Sequence, residues 1–214
     1  MPREFKVVEY SKDYIVIIKP YGYLSEESDS EPNAHSAIRD FLTSNGARFE
    51  KIHTVHRLDR TTEGLMVYAL NKKTAAELSH CIADGRFEKI YEAHITRSPE
   101  LPESGEMRDL LFFDRHRDKS FVVEKKRNGA KEALLEYEIV REYRDEDGED
   151  VSVARVKLGT GRTHQIRVQF ASRKSPLVGD RKYGSRIARR GPSLFSVKLG
   201  FEIGGERREY EMGE

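Results

Sequence analysis

The stretch from His56 to Leu65, HRLDRTTEGL, places one carboxylate between two arginines, immediately before the apolar run LMVYAL. An aspartate has an ordinary pKa of about 3.9 and stays ionised at neutral pH, more so beside cations. It can therefore act as a nucleophile or as a base. The cluster lies where a loop enters a strand that should be buried, so its side chains can be held rigidly. Asp59 is the best single catalytic candidate, although a salt-bridged surface cluster would have the same composition.

Other chemistries fit the spacing of residues less well. His53, His56 and Asp59 recur every three positions, as ligands on a helix would, but the segment enters a strand and no cysteine partner is near. The segment GTGR lacks the lysine of a phosphate-binding P-loop and the full dinucleotide pattern. No G-x-S-x-G elbow is present for a nucleophilic serine. Common glycosidases need two carboxylates around the bond, and only Glu63 is close. A single carboxylate among arginines favours an anionic substrate.

Two further segments contain polar side chains that could meet a substrate. In GTGRTHQIR, residues 159–167, the glycines would open a helix whose backbone N–H groups favour an anion. Ordinary helix capping with surface arginines is the plainer interpretation of this segment. Tyr91 in KIYEAHI lies on a predicted strand, where a tyrosine is usually a core residue. The donors around the expected helix start are Arg162, His164, Gln165 and Arg167.

Charge is balanced overall and uneven locally. The chain has 38 basic and 37 acidic residues, a net charge of +1, which gives no argument for a nucleic-acid partner. RKYGSRIARR, residues 181–190, contains no acidic residue, whereas EYRDEDGEDV is strongly acidic. A basic patch can bind a polyanion locally, but either run is equally well a solvated face. The candidate phosphate ligands in the basic run are Arg181, Lys182, Arg189 and Arg190.

Composition indicates a soluble intracellular protein. Hydrophobic residues make up 37% of the chain and charged residues 35%. No apolar run approaches the about 20 residues that cross a bilayer, and the start, MPREFKVVEY, has no apolar signal region. The single Cys81 cannot form an internal disulfide, which fits a reducing compartment. We therefore expect a cytoplasmic protein without a membrane partner.

The elements that position these residues follow from periodicity and turn residues. Alternation at 135, 137 and 139, an acidic turn and the return VSVARVKL predict an antiparallel hairpin. Residues 97–131 are interpreted as an irregular excursion with one or two short strands. The expected class is α+β, with a mixed, largely antiparallel sheet and flanking helices, in one domain over residues 1–214. Further strands are expected at 14–20, 64–70, 89–96 and 194–203, and helices at 36–46, at 71–85 and from 163 onward.

Taken together, five segments resemble the RluA-type pseudouridine synthases. HRLDRTTEGL resembles that family's signature around a nucleophilic aspartate, KIYEAHI its K-x-Y-x-A strand, and LGTGRTHQIRVQF its G-R-T-H-Q-I-R motif. KPYG at 19–22 resembles its early K-P-x-G turn, and LVGDRKYG at 177–184 its V-G-D-x-x-Y-G segment. Glu63 departs from the usual serine, and the C-terminal strand lacks the usual His-Pro. Only 18 residues precede Lys19, so no N-terminal S4-like RNA-binding domain is expected.

The resemblance implies a reaction and roles for named residues. Asp59 would attack a uridine in RNA and break its glycosidic bond, after which the uracil rotates and rejoins through C5, without a cofactor. Whether the carboxylate adds to the ribose or first removes a ribose proton stays open. Arg167 would pair with Asp59, and Tyr91 would stack on the uracil and could take the C5 proton. Arg57 would enter the space that the uridine leaves in its stack, while Arg60 could be structural.

The expected partner is a ribosomal or transfer RNA stem-loop, bound by a monomer with no metal. One rival function is hydrolysis of a nucleosidic bond by the same Asp59, which would release free uracil. Another is an RNA-binding module without catalysis, although a binder has no need of Asp59, Tyr91 and Arg167 together. The expected RNA contacts are Arg57, Arg60, Arg162, His164, Gln165, Arg181, Lys182, Arg189 and Arg190.

Overall fold

The computed structural model describes residues 5–213, which divide into two compact units. The first unit runs to Lys89 and includes the segment from Ser196 onward, and the second unit is Ile90–Phe195. Both boundaries fall inside strands, Glu88–Ile95 and Leu194–Ile203, so no polar linker marks them in the sequence. One catalytic domain over residues 1–214 stays a prediction.

The described residues form three α-helices, one short 3-10 helix and eleven strands. The helices are α1 (Ala34–Ser44), α2 (Lys72–Ala83) and α3 (Gln165–Ser172), and the 3-10 helix is Arg181–Tyr183. None of the helices in residues 5–213 is long and apolar enough to cross a lipid bilayer. The strands are β1 (Lys6–Tyr10), β2 (Tyr14–Lys19), β3 (His53–Thr54), β4 (Glu63–Ala69), β5 (Glu88–Ile95), β6 (Ser104–Asp114), β7 (Lys119–Val123), β8 (Ala130–Arg144), β9 (Asp150–Leu158), β10 (Leu194–Ile203) and β11 (Glu206–Glu211).

The first unit is organised around β4, every residue of which is buried. The strand order is β1-β2-β4-β10, with β3 added to β4 and β11 to β10. Val67 belongs to the same apolar cluster as Leu78 of α2, whereas Tyr68 contacts His35 of α1 edge-on, with 5.4 Å between ring centroids. Successive side chains of a strand point to opposite faces, so α1 and α2 cover opposite faces of β4.

Gly64 allows β4 to pass close to β10 at its first residues. Gly64 has a φ of +120°, and a Cβ atom there would lie 2.2 Å from the carbonyl oxygen of Ser196. Any side chain would therefore push the two backbones apart. Gly64 of the HRLDRTTEGL motif is thus required by strand packing.

The second unit is an antiparallel sheet in the order β5-β9-β8-β6-β7. Helix α3 packs against β6 and β7, and its Val168 joins Leu111, Ala133 and Tyr183 in one apolar cluster. Phe170 of the same helix meets Tyr137 edge-on, at 5.3 Å between ring centroids. This packing holds the polar start of α3 next to the β6–β7 hairpin.

Most predicted elements are confirmed, with corrections where local sequence is ambiguous. Asn71 caps α2 by accepting a hydrogen bond from the Thr74 amide at 2.9 Å, and Asn33 caps α1 in the same way. The interpretation of residues 97–131 as mostly irregular is wrong, because β6 runs for 11 residues and pairs along β8. Strands β1 and β11 were not predicted, since β1 is short and mostly exposed and β11 is almost entirely charged.

Candidate active site and RNA interface

Asp59 lies on the loop that connects β3 to β4 in the first unit, and the residue before it is fixed by Ser25. The Ser25 hydroxyl donates to the carbonyl oxygen of Leu58 at 2.8 Å and accepts from the Leu58 amide at 3.0 Å. Both Ser25 and the Leu58 side chain are buried. One hydroxyl therefore satisfies both backbone groups of the residue that precedes Asp59.

The residue after Asp59 is fixed by the KPYG turn. The carbonyl oxygen of Arg60 accepts from the Gly22 amide at 2.8 Å and from Lys19 Nζ at 3.4 Å, and Arg60 Nε donates to the Gly22 carbonyl at 3.1 Å. The Asp59 carbonyl itself accepts from the Thr62 amide at 2.9 Å. The backbone on both sides of Asp59 is thus held by hydrogen bonds, as a positioned catalytic carboxylate requires.

Lys19 is a fully buried cation in this unit, and no role was predicted for it from the sequence. Its ammonium donates to the carbonyl oxygens of Pro20 at 3.0 Å and Tyr23 at 2.8 Å. Burial lowers the pKa of Lys19 to about 8, and the carboxylates of Glu63 and Asp59 oppose that shift. Near neutral pH Lys19 is mostly charged and within electrostatic reach of Asp59. The sequence feature that could have identified Lys19 is its position at the end of a predicted buried strand, next to a turn.

His56 anchors the start of the loop to β4. Its Nε2 accepts a hydrogen bond from the Val67 amide at 3.2 Å, and its ring lies against Phe87 at 5.1 Å between centroids. Burial, with a smaller contribution from Lys89, lowers the pKa of His56 to about 3. The imidazole is therefore neutral at physiological pH. A role in shaping the loop fits these contacts.

Arg57 and Arg60 carry exposed side chains. Arg57 forms an ion pair of 3.3 Å with Glu26, and the two side chains are 66% and 61% exposed. Such a pair contributes little and can be exchanged for another anion. Arg60 pairs with Glu31 besides holding Gly22. Insertion of Arg57 into a vacated base stack stays a prediction, and the contacts of Arg60 fit the structural alternative.

Arg167 lies in the second unit and forms a buried bidentate pair with Asp180. Arg167 Nε lies 2.7 Å from Asp180 Oδ2, and Nη2 lies 2.8 Å from Oδ1. The side chains are 6% and 1% exposed, and the guanidinium carbon lies 5.0 Å from the Tyr183 ring centroid. Asp180 and Tyr183 lie in LVGDRKYG, but the motif alone did not predict them as partners of Arg167. Pairing of Arg167 with Asp59 stays a prediction.

His164 contacts Tyr183, and its predicted contact with RNA stays a prediction. It precedes α3 with a left-handed φ of +55°, is buried, and shares a hydrogen bond of 3.0 Å between its Nδ1 and the Tyr183 hydroxyl. The same hydroxyl accepts from the Ser120 amide at 2.7 Å. Burial raises the pKa of Tyr183 to about 12, so its phenol stays protonated.

Gln165 likewise makes structural contacts. Its amide oxygen accepts from the Thr160 hydroxyl at 2.7 Å and from the Arg162 amide at 3.0 Å. Its amide nitrogen donates to the Leu134 carbonyl at 3.0 Å. Gln165 is buried, and both ends of its side chain are engaged. Gln165 thus braces the GTGR loop, and its contact with RNA stays a prediction.

Tyr91 is buried on β5, opposite Val156 of β9. Burial at this position fits a ring that packs in the sheet and presents one edge or face. Stacking on a uracil and removal of the C5 proton stay predictions for this residue.

Two cations of the basic run 181–190 are paired with carboxylates, and binding of phosphate by this run stays a prediction. Arg189 pairs with Asp145 at 2.5 Å and with Asp147 at 2.6 Å, both in the acidic β8–β9 turn. Lys182 pairs with Asp118 at 2.5 Å. A phosphate would have to displace these carboxylates. The remaining candidates of the run, Arg181 and Arg190, have exposed side chains.

Residues 13–172 match the family model described as RNA pseudouridylate synthase. That range includes Asp59, Tyr91 and Arg167, and it covers more than half of the chain. The chain belongs to this family. Within residues 5–213, no three histidine, cysteine, aspartate or glutamate side chains group as a metal site would.

Curated relatives share the family. The chain is 33% identical over 186 residues to the "Dual-specificity RNA pseudouridine synthase RluA" of Escherichia coli strain CFT073, covering 86% of this chain and 79% of that protein. It is 31% identical over 207 residues to the "Ribosomal large subunit pseudouridine synthase D" of Borreliella burgdorferi, covering 92% and 61%. An "Uncharacterized RNA pseudouridine synthase" of Aquifex aeolicus is 30% identical over 197 residues, covering 89% and 60%. The chain thus spans about 60% of the length of the last two relatives.

Solved structures of family members share the fold. "Human RNA Pseudouridylate Synthase Domain Containing 1" superposes with a TM-score of 0.79 at 22% identity, over 99% of this chain and 84% of that one. "Human RNA Pseudouridylate Synthase Domain Containing 4" superposes with a TM-score of 0.76 at 21% identity, over 97% of this chain and 88% of that one. The predicted α+β class with flanking helices is confirmed.

Proposed function

We propose that this chain is an RNA pseudouridine synthase, an isomerase that converts uridine in RNA to pseudouridine. The observation that carries the proposal is the fixed position of Asp59, in a segment that resembles the family's signature and lies within the range that matches the family model. A loop held at both neighbours of a single carboxylate suits covalent or proton-transfer chemistry.

The reaction needs no co-reactant, because its atoms balance within the substrate. The bond between N1 of uracil and C1′ of ribose breaks, and a bond between C5 and C1′ forms. The proton lost from C5 is balanced by one gained at N1. Asp59 acts on the ribose, either by adding to it or by removing a proton from it. Tyr91 stacks on the uracil and is a candidate to take the C5 proton. Lys19 is a buried ammonium within electrostatic reach of Asp59.

The uridine must leave its stack to reach Asp59, at a cost of a few kcal/mol. Arg57 is suited to fill the gap, because its side chain is exposed and held only by a surface ion pair with Glu26. A planar guanidinium can stack between bases, which an ammonium cannot.

The substrate we propose is a stem-loop of ribosomal or transfer RNA, bound by a cytoplasmic monomer. The printed name of one relative refers to the ribosomal large subunit, and that of another to dual specificity. Both names refer to those proteins, and they support an RNA substrate for this one.

Chemical tagging of pseudouridine in RNA incubated with the protein tests the proposal. Wild type should form tagged sites without releasing uracil, and Asp59→Asn should lower the single-turnover rate at least about a hundredfold. Asp40→Asn makes the same chemical change on an exposed position of α1 and serves as the control. Release of free uracil would indicate a hydrolase instead. An Asp59→Asn rate within about tenfold of wild type, ~1.4 kcal/mol of barrier, would contradict the assigned role.

A further inference from the structure

We propose that a cleft in the second unit binds the phosphate backbone of the substrate RNA; this rests on the proposed function. The cleft has a volume of about 380 Å³ and lies between the β6–β7 hairpin, the start of β8 and the loop 161–163. Arg115, Lys131 and Arg162 line it, and no aspartate or glutamate does. The charged side chains that line the cleft are all positive, although the protein as a whole is nearly neutral.

The cations of this cleft have no carboxylate partner among the described residues. The side chains of Arg115 and Lys131 are exposed and form no ion pair with any residue between 5 and 213. Arg162 donates Nε to the carbonyl oxygen of Glu132 at 2.8 Å, which orients the guanidinium without neutralising it. By contrast, Arg173 and Arg189 are paired with aspartates. Unpaired cations that face one cleft suit a polyanion, which releases counterions on binding.

Aromatic rings accompany these cations. Phe112 and Phe113 also line the cleft, and both are only partly buried. The guanidinium carbon of Arg127 lies 3.7 Å from the Phe112 ring centroid, so one ring already carries a stacked cation. Single-stranded nucleic acid is commonly bound by a basic groove with exposed aromatic rings beside it. An acidic peptide would use the cations and gain nothing from such rings, so we assign the cleft to RNA.

The cleft adjoins the Arg167 cluster through Ser120. The Ser120 hydroxyl donates to the Thr163 carbonyl at 2.5 Å, and both residues line the cleft. The Ser120 amide donates to the Tyr183 hydroxyl, and the Tyr183 ring lies against Arg167. A strand bound in the cleft would therefore pass beside the Arg167 cluster. Phosphate contacts in the cleft read no base, so they would position the RNA without selecting its sequence.

The salt dependence of RNA binding tests this assignment. The double variant Arg115→Gln with Lys131→Gln should lower the slope of log Kd against log salt by about 1.4–1.8, since each phosphate contact contributes about 0.7–0.9. The probe is a fluorescent hairpin RNA with uridines in its loop. The control is Lys72→Gln with Lys73→Gln, which removes the same charge from exposed positions of α2. This control should keep the wild-type slope, and circular dichroism should confirm the folding of both variants.

Two results would overturn the proposal: an unchanged slope in the folded cleft variant, or an equal decrease in the control, which would show a response to net charge alone. Displacement of the hairpin from wild type by polyglutamate, as effectively as by unlabelled RNA, would assign the cleft to acidic proteins. Pseudouridine formation by wild type is measured separately. If wild type makes no pseudouridine and the cleft variant still loses slope, the proposed function fails and the RNA-binding cleft stands.

Discussion

Among single residues, Arg167 and Asp180 have the most demanding environment in the second unit. Two charges are buried there, and each is compensated by the other through a bidentate contact. Breaking such a buried pair typically costs about 3–5 kcal/mol, because the remaining charge loses its bidentate contact. We therefore expect Asp180→Asn to lower the free energy of unfolding in urea by about that amount.

The control for this prediction is the exposed pair of Arg144 and Asp150. Its geometry is also bidentate, with distances of 2.9 and 3.3 Å, but the aspartate side chain is 81% exposed. Asp150→Asn should not change the unfolding midpoint measurably, because water screens and replaces the contact. An Asp180→Asn variant as stable as this control would show that Arg167 does not depend on Asp180 for its charge compensation.

Among the elements, the β3–β4 loop depends on contacts that are distant in sequence. Ser25 lies 33 residues before Leu58, yet its hydroxyl satisfies both Leu58 backbone groups. Ser25→Ala leaves a buried amide and carbonyl unpaired, at about 1–3 kcal/mol for each group that finds no water. We expect faster hydrogen exchange at the Leu58 amide and a lower single-turnover rate at saturating RNA, because Asp59 is positioned less well.

Ser79→Ala is the matched control for the Ser25 prediction. It removes a hydroxyl that donates to Ala75 on an exposed turn of α2, so it should leave both measurements unchanged. The dissociation constant for RNA should be similar in both variants, because Ser25 is buried and is not expected to touch RNA. Unchanged exchange at Leu58 in Ser25→Ala would mean that the loop is held by the KPYG turn alone.

For the whole molecule, histidine burial predicts a loss of stability in mild acid. The pKa of His56 is about 3 in the native state, against 6.5 for an ordinary histidine. Between these values the unfolded chain binds a proton that the native state excludes, so stability falls as the pH decreases through this window. From pH 6.5 to 5 the loss from His56 alone is about 2 kcal/mol. Burial also lowers the pKa values of His35 and His94, which adds to the effect in the same direction.

Urea unfolding at pH 6.5 and pH 5 measures this loss. His56→Gln keeps an acceptor for the Val67 amide and cannot titrate, so its stability should fall less than that of wild type over this interval. An equal decrease in wild type and variant would show that His56 is accessible to protons in the native state. The pKa of Lys19 is lowered to about 8, so this residue affects stability in alkaline solution. The free energy of unfolding should rise from about pH 8 towards pH 10.5, because in this range only the unfolded lysine stays protonated.

Residue types and local spacing were sufficient for much of this protein. Apolar periodicity predicted β2, β4, β5, α1 and the β8–β9 hairpin, and the Asn71 cap located the start of α2, because such signals act over a few residues. The resemblance of short motifs pointed to the family and singled out Asp59. The same local signals could not detect β1 and β11, which are short and mostly exposed, or the unit boundaries, which lie inside strands.

What tertiary structure alone decided is which partners the polar residues have. Arg167 pairs with Asp180, Gln165 braces a loop, and Arg189 is neutralised by an acidic turn more than 40 residues away. The cleft with unpaired cations likewise brings together Arg115, Lys131 and Arg162, which no spacing rule connects. A hydrophobic pattern specifies the face that an element buries, whereas a hydrogen bond or ion pair forms only where folding brings two distant groups within about 3 Å. Asp59 could therefore be singled out from the sequence, whereas the contacts that hold its loop could not.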